Sequence, residues 1–240
     1  MKVISAEFVT SAAAGGNAEG IPRDGLPQIA MTGRSNVGKS TLLNALCRSK
    51  VARTSAAPGK TRLANIYRVT VEGGGPGRWS LYLVDLPGYG YARGGADAAE
   101  ELRGVAEAYF ASASGDHSPT FATRDVSPAS EPGATASNAR LKSRAANVGG
   151  RTAAALLLVD SRHPGLKADL QAAQWLDAMG VGFHVIATKI DKLSRSERAR
   201  NLKALEFTLG KPPLPVSATS GEGLDLLWKT IASQARTGRA

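Results

Sequence analysis

The 240 residues carry 30 Lys and Arg against 20 Asp and Glu, a formal net charge of +10, with 42% hydrophobic residues and a single Cys. A chain this long buries a core without staples, and one cysteine excludes both an internal disulfide and a thiolate zinc cluster. No apolar run nears the roughly 20 residues of a membrane helix, and Met1-Lys2-Val3-Ile4-Ser5-Ala6-Glu7 lacks the apolar stretch of a secretory leader. The expected setting is therefore a reducing cytosol, away from membranes. The basic excess points to an anionic partner, RNA ahead of a lipid surface.

Residues 1–27 read as an N-terminal extension with room for an edge strand, and the first core strand is Gln28–Thr32. It runs into Gly33, Arg34, Ser35, Asn36, Val37, Gly38, Lys39 and Ser40, which fits G-x-x-x-x-G-K-[ST], ahead of a helix expected over Ser40–Arg48. Strand, glycine-rich turn and helix in that order make a phosphate cradle. The glycines let backbone N–H groups wrap phosphates, the helix N-terminus adds positive potential, Lys39 reaches the β- and γ-phosphates, and Ser40 offers its hydroxyl to Mg²⁺. Cys47, in that helix, reads as a small buried apolar residue. A polar stretch follows, Ala52–Arg62, turned by Pro58-Gly59. Thr54, Ser55, Thr61 and Thr70 all offer a hydroxyl able to join Mg²⁺ only when the γ-phosphate is present.

The strand Trp79–Val84 delivers Asp85, Leu86, Pro87 and Gly88, where the acid can reach Mg²⁺ through water and the glycine N–H can face the γ-phosphate. From Ala111 to Gly150, 26 of 40 residues are Ala, Ser, Gly, Pro or Thr, with Phe121, Val126, Leu141 and Val148 the only larger apolar ones. So little apolar surface cannot offset the entropy of ordering, and a disordered surface insertion is expected. Beyond it, Ala155–Asp160 and Phe183–Thr188 read as strands, with a helix over Leu166–Met179 between them. The second of these ends in Thr188, Lys189, Ile190 and Asp191, whose carboxylate can accept from the N1–H and N2–H₂ edge of guanine. Adenine lacks that pair of donors and would leave the acid unpaired, so guanine is the expected base. Ser194-Arg195-Ser196-Glu197 is a capping box opening a helix to Leu209, stopped by Gly210, Pro212 and Pro213. A last strand, Leu214–Ser217, leads into Ser217-Ala218-Thr219, placed for a backbone N–H to meet guanine O6, and a helix over Leu224–Gln234 precedes the tail 235–240. Trp175 and Trp228 fall in helical patterns as core residues do, and His163 and His184 have no neighbours at metal-ligand spacing.

Strands alternating with helices imply βαβ units. The expected fold is α/β: one P-loop GTPase domain over 28–234, its mostly parallel six-stranded sheet covered by helices on both faces, carrying the insertion 111–150 on its surface. Asp85 and Thr188 stand about 100 residues apart, too far for one helix–strand–helix–strand connection, and removing the insertion brings the spacing to about 60.

With these residues in view, the chain resembles the EngB-type ribosome-assembly GTPases, a bacterial family within the translation-factor-related GTPase class. The resemblance runs from about Gln28 to Ile231 and rests on Gly33–Thr41, Ala52–Ser55, Pro58–Arg62, Asp85–Ala92, Leu158–Arg162, Thr188–Ser194 and Ser217-Ala218 with Gly221–Leu224. The run Asp85-Leu86-Pro87-Gly88-Tyr89-Gly90-Tyr91-Ala92 together with Asp160-Ser161-Arg162-His163 separates this family from GTPases at large. The resemblance implies GTP and GDP as ligands and Mg²⁺ held by Ser40, Thr61 and Asp85, so that Thr61 becomes the switch threonine. It extends the nucleotide contacts to Thr41, to Gly59, Lys60, Thr61, Arg62 and Leu63, and to Val216, Ser217 and Ala218. It also implies a monomer that matures the large ribosomal subunit, supporting growth and cell division through ribosome production. The insertion is a departure from the family pattern.

Lys39, Thr61 and Asn36 form the expected catalytic set. Asn36 resembles the P-loop asparagine that helps hold a K⁺ near the phosphates in related GTPases; the plainer alternative is an amide that only steadies the loop. Tyr89 stands where many regulatory GTPases place a water-orienting Gln. Its phenol, free to pack outward, is a poor substitute, so slow intrinsic hydrolysis, stimulated by K⁺ or the ribosome, is expected. Arg93 and Arg162 are candidate rRNA contacts. The alternative reading is a P-loop phosphotransferase acting on a small metabolite, which would need an acceptor site and a lid.

Overall fold

The computed structural model describes residues 1–12, 20–52, 63–74, 77–89, 103–110 and 153–237. The insertion 111–150 lies outside the described residues, as do Thr54, Ser55, Gly59, Lys60, Thr61, Arg62 and Arg93. In chain order the elements are β1 (Lys2–Ala12), β2 (Gln28–Gly33), α1 (Lys39–Cys47), β3 (Ala64–Glu72), β4 (Arg78–Asp85) and α2 (103–110). Then follow β5 (Ala153–Asp160), α3 (Lys167–Ala178), β6 (Phe183–Thr188), α4 (Arg195–Leu209), β7 (Leu214–Pro215) and α5 (Leu224–Thr237).

The strands form one sheet in the order β1-β3-β4-β2-β5-β6-β7. From β4 to β7 every pairing is parallel, whereas β3 pairs antiparallel with both β4 and β1. The sheet therefore has seven strands, not the six expected. The strand missing from the expectation is β3, which places Arg68 and Glu72 at exposed or half-exposed positions among buried Ile66, Val69 and Val71. A half-polar antiparallel strand carries none of the continuous apolar signal that marks β5, buried from Ala154 to Val159. The N-terminal extension supplies the edge strand for which it left room, with register shifts at Val3/Ser5 and Phe8/Thr10. The last strand is shorter than expected, ending at Pro215, whose ring offers no N–H to a ladder.

Helices cover both faces. On one, Leu42, Leu43 and Leu46 of α1 pack with Leu227, Trp228 and Ile231 of α5. On the other, Tyr109 and Phe110 of α2 join Leu176 of α3 and Leu205 and Leu209 of α4. Burying a Leu or Phe side chain contributes about 1.5–3 kcal/mol, so these two layers dominate the favourable side of folding. Cys47 is buried, and that burial pushes its thiol up to about 12, in keeping with an inert apolar role. The capping box is present in full: Ser194 N–H donates to Glu197 Oε2 (2.9 Å), Glu197 N–H donates to Ser194 Oγ (3.3 Å), and Gly210 ends the helix at φ 66°. From β2, the next parallel neighbour, β4, lies on one side and the following one, β5, on the other. The crevice at the carboxyl end of β2 is thus a topological switch point, where open α/β sheets bind ligands.

Candidate functional site

The turn from β2 to α1 sits in that crevice. Gly33 must be glycine there: a Cβ would stand 2.6 Å from the Leu158 carbonyl oxygen of β5. Gly38 caps α1 at φ 107° without a side-chain hydrogen bond, and the first turn of the helix holds no acid. Its N-terminal N–H groups are left for an anion. Lys39 is 7% exposed and donates from Nζ to the carbonyls of Gly33 (3.0 Å) and Arg34 (3.2 Å). Burial lowers its pKa to about 8, against the opposing pull of the Asp85 charge.

Asp85 closes β4 directly beside it. Its Oδ2 accepts from Ser40 Oγ (2.7 Å), while Oδ1 is buried and has no hydrogen-bond partner. Burial raises its pKa, opposed by the Lys39 charge and the Ser40 hydrogen bond. A hydroxyl and a carboxylate converging with one oxygen unfilled suit a hard oxygen-seeking cation such as Mg²⁺. The following turn lies on the cradle itself. Ser35 N–H donates to Tyr89 O (3.0 Å), Arg34 and Tyr89 form a parallel bridge, and a Cβ on Gly88 would come within 2.8 Å of Lys39 Nζ and Ser35 N.

Tyr89 does not pack outward. Its hydroxyl donates to Asp169 Oδ1 on α3 (3.1 Å), which also accepts from Arg34 Nε (3.1 Å). Asp169 is 2% exposed with Oδ2 unpartnered, and burial raises its pKa against the Arg34 charge and the Tyr89 and Arg34 hydrogen bonds. Burial, with the Asp169 charge behind it, pushes the Tyr89 phenol far above its ordinary range. The phosphate cradle, the turn after β4 and α3 are thereby clasped at one carboxylate.

The second half of the crevice comes from β5, β6 and β7. Thr188 Oγ1 lies 2.9 Å from Val37 O and 3.1 Å from Val159 O, and Lys189 Nζ donates to Asn36 O (2.7 Å) and Asp160 Oδ2 (3.0 Å). Lys189 holds φ 61° and Asn36 φ 63°, left-handed positions that only a tightly specified turn retains. Burial would raise Asp160, but hydrogen bonds from Arg162 and Lys189 outweigh it and keep this carboxyl well below the usual range. Arg162 grips Asp160 through that forked pair (2.9 and 2.7 Å) while its side chain stays 40% exposed. Asp191 opens onto the crevice from the 3₁₀ turn Ile190–Lys192, with Oδ1 accepting from Ser217 Oγ (2.7 Å); that bond, foremost, lowers its pKa. Val216 is fully buried and pairs with β6 and the turn after it: its N–H donates to Ala187 O and its carbonyl accepts from Ile190 N–H.

Of the sequence-derived residues, Gly33 to Thr41, Asp85 to Gly88, Thr188 to Asp191 and Val216 to Ala218 lie at or just beyond the carboxyl ends of β2, β4, β6 and β7. Thr70 leaves the competition for the switch hydroxyl, because it lies inside β3 with its Oγ1 2.9 Å from Ser80 Oγ. Leu63, 40% exposed, precedes β3 at the border of the described residues. Sequence reasoning gave Asp160 no role beyond its place in the family motif and missed Asp169; the first has the strand-end signal that exposed Asp85, whereas nothing local marks the second. Among the described residues no three His, Cys, Asp or Glu side chains gather as a metal cluster, and no helix is long and apolar enough to cross a membrane.

A parallel sheet with its phosphate cradle at the switch point, flanked by these strand-end turns, is the architecture of the P-loop GTPases. A family model described as a 50S ribosome-binding GTPase matches residues 28–189. The chain is 38% identical over 97% of both chains to a probable GTP-binding protein EngB of Solibacter usitatus (strain Ellin6076). Among solved structures it is similar to Aquifex aeolicus Era bound to GDP and AlF₄⁻, with TM-score 0.61 and 19% identity over 87% of this chain and 57% of that one. It is also similar to a probable GTP-binding protein engB, with TM-score 0.53 and 21% identity over 88% of this chain and 99% of the other. The chain belongs to the EngB family of GTP-binding proteins, a ribosome-associated GTPase family.

Proposed function

We propose that this chain is a nucleotide-dependent switch in assembly of the large ribosomal subunit, supporting growth and cell division through ribosome production. The nucleotide half of the reading is carried by the Lys39–Ser40–Asp85 cluster, a buried ammonium beside a carboxylate with one unfilled oxygen, at a helix N-terminus without a side-chain cap; the ribosomal half rests on membership of the EngB family. Lys39 and the backbone of Gly33 to Thr41 bind the phosphates; Asp191, held by Ser217, reads guanine, with Lys189 and Ala218 beside it. Ser40, Asp85 and Thr61 would hold Mg²⁺, which when bound neutralises charge on the β- and γ-phosphates.

Hydrolysis joins water to the γ-phosphorus and breaks its bond to the β–γ bridging oxygen, leaving GDP and phosphate. Tyr89, occupied with Asp169, orients no water, so the intrinsic rate is slow. The Asn36 side chain is exposed and makes no hydrogen bond among the described residues, which supports a K⁺ ligand over a loop brace. Equal hydrolysis rates in K⁺ and Na⁺ buffers would remove that ion from the mechanism. The protein works as a monomer in the cytoplasm, with residues 28–234 as one GTP-binding domain. The test of the switch is co-sedimentation with precursor large subunits: retention with a non-hydrolysable GTP analogue and release with GDP are expected, and retention indifferent to nucleotide refutes it.

A further inference from the structure

Among the described residues the outward face of α4 has no partner. At 3.6 residues per turn, Ser196, Arg200, Lys203 and Phe207 align in a stripe about 16 Å long, diametrically opposite buried Asn201, Leu205 and Leu209. All four are exposed, and Phe207 reaches 91%, the highest exposure of any large hydrophobic residue described. Among the described residues neither Arg200 nor Lys203 forms a salt bridge, whereas Arg198, which points elsewhere on the same helix, pairs with Glu222 at 2.6 Å. The two acids of the helix fall on its flanks, and the Glu197 carboxylate is turned back to Ser194 in the capping box.

We propose that this stripe docks an unpaired stretch of ribosomal RNA, with Arg200 and Lys203 on successive phosphates and Phe207 stacked on a base. The proposal rests on the ribosomal reading above and names the surface that reading lacks. Cations spaced one turn apart match a polyanion, and a bare aromatic ring at the end of a cationic row offers a base the sequence-tolerant stacking platform of single-strand binders. The helix is also a rigid support. Its capping box fixes one end, Asn201 Nδ2 donates to Ser161 O (2.9 Å), and Arg198 ties it to the loop after Ser217. Docked RNA would therefore press on both turns assigned to guanine recognition.

The test measures full-length protein against large subunits and against protein-free large-subunit rRNA over a range of salt, with GTP affinity as the control. For Arg200→Glu with Lys203→Glu, the expected result is weaker binding to both, with the slope of log affinity against log salt reduced by about 1.5. For Phe207→Ala, a roughly tenfold loss at unchanged slope is expected. GTP affinity stays within about twofold in each, which also reports that the variants fold. Wild-type affinity in the charge-reversed protein overturns the assignment of this face while leaving the ribosomal reading intact. Loss on subunits without loss on naked rRNA overturns it in favour of a ribosomal protein. A wild-type chain that binds neither target overturns the ribosomal reading and this proposal together.

Discussion

Asp191 and Lys39 make separable predictions. If Asp191 accepts from both guanine donors, Asp191→Asn weakens GTP at least about 100-fold and improves xanthosine triphosphate, whose N1–H and O2 suit an amide. Unchanged GTP affinity in a fluorescence titration would show that another group reads the base. Lys39 starts to lose its proton near pH 8 in the free protein because it is buried. Once a polyphosphate faces it, the charged form is held. Binding of Mg²⁺-free GDP should take up a proton above about pH 8, and affinity should fall as pH rises through that range. Titration calorimetry in buffers of different ionisation enthalpy checks the sign, and a buffer-independent heat rules the coupling out. Neither Arg34 nor Tyr89 announces its partner in the sequence, since Asp169 lies 135 residues from one and 80 from the other. Motif reading finds residues that act through chain-local geometry and is blind to those joined only by folding.

Among elements, the turn after β4 and helices α3 and α4 have consequences of their own. Tyr89 O holds the Ser35 N–H that a phosphate would use, so nucleotide entry displaces this turn. Tyr89→Phe removes the hydrogen bond to Asp169 that helps hold the turn down, worth about 0.5–1.5 kcal/mol. Faster GDP association, by roughly two- to tenfold, is expected in stopped-flow measurements; an unchanged rate would show that the turn opens freely. Ser194→Ala removes the side-chain arm of the capping box at α4 and leaves the backbone N–H to Glu197, costing about 1 kcal/mol and lowering Tm by roughly 2–4 °C. Element recognition followed apolar continuity and end signals. The helix after the phosphate turn and the capped α4 were legible to within a residue, because glycines and cap residues act locally. The strand β3 was not, and neither was α2, whose apolar Val105, Tyr109 and Phe110 gain their meaning from the α3 layer they pack against.

At the scale of the molecule, the basic excess that excluded little at first is now divided. Arg34, Arg162, Lys189 and Arg198 are paired within the fold with Asp169, Asp160 and Glu222, so their charge is already matched by an acid of the chain. The net charge of +10 already subtracts those acids, and because a salt slope counts only the cations that meet phosphate, a slope well below that number is expected for subunit binding. Fold class was readable because a mostly parallel sheet demands alternating strands and crossovers, whereas the strand order was not. The clasp at Asp169 and the stripe on α4, without a partner among the described residues, needed coordinates, since burial is a property of the folded chain.

Position 33 admits only glycine because β5 presents the Leu158 carbonyl against it, and the loop it begins is pinned at Asn36 and Val37 by Lys189 and Thr188. A ribosome making this protein emits the phosphate-binding turn early and its supports more than 120 residues later. Nascent chains that already expose the complete glycine-rich motif should ignore GTP until β6 has left the exit tunnel, because until then the turn has nothing to lean on. Affinity for nucleotide is thus a late event in synthesis, and arrested chains of increasing length would show it arriving in one step.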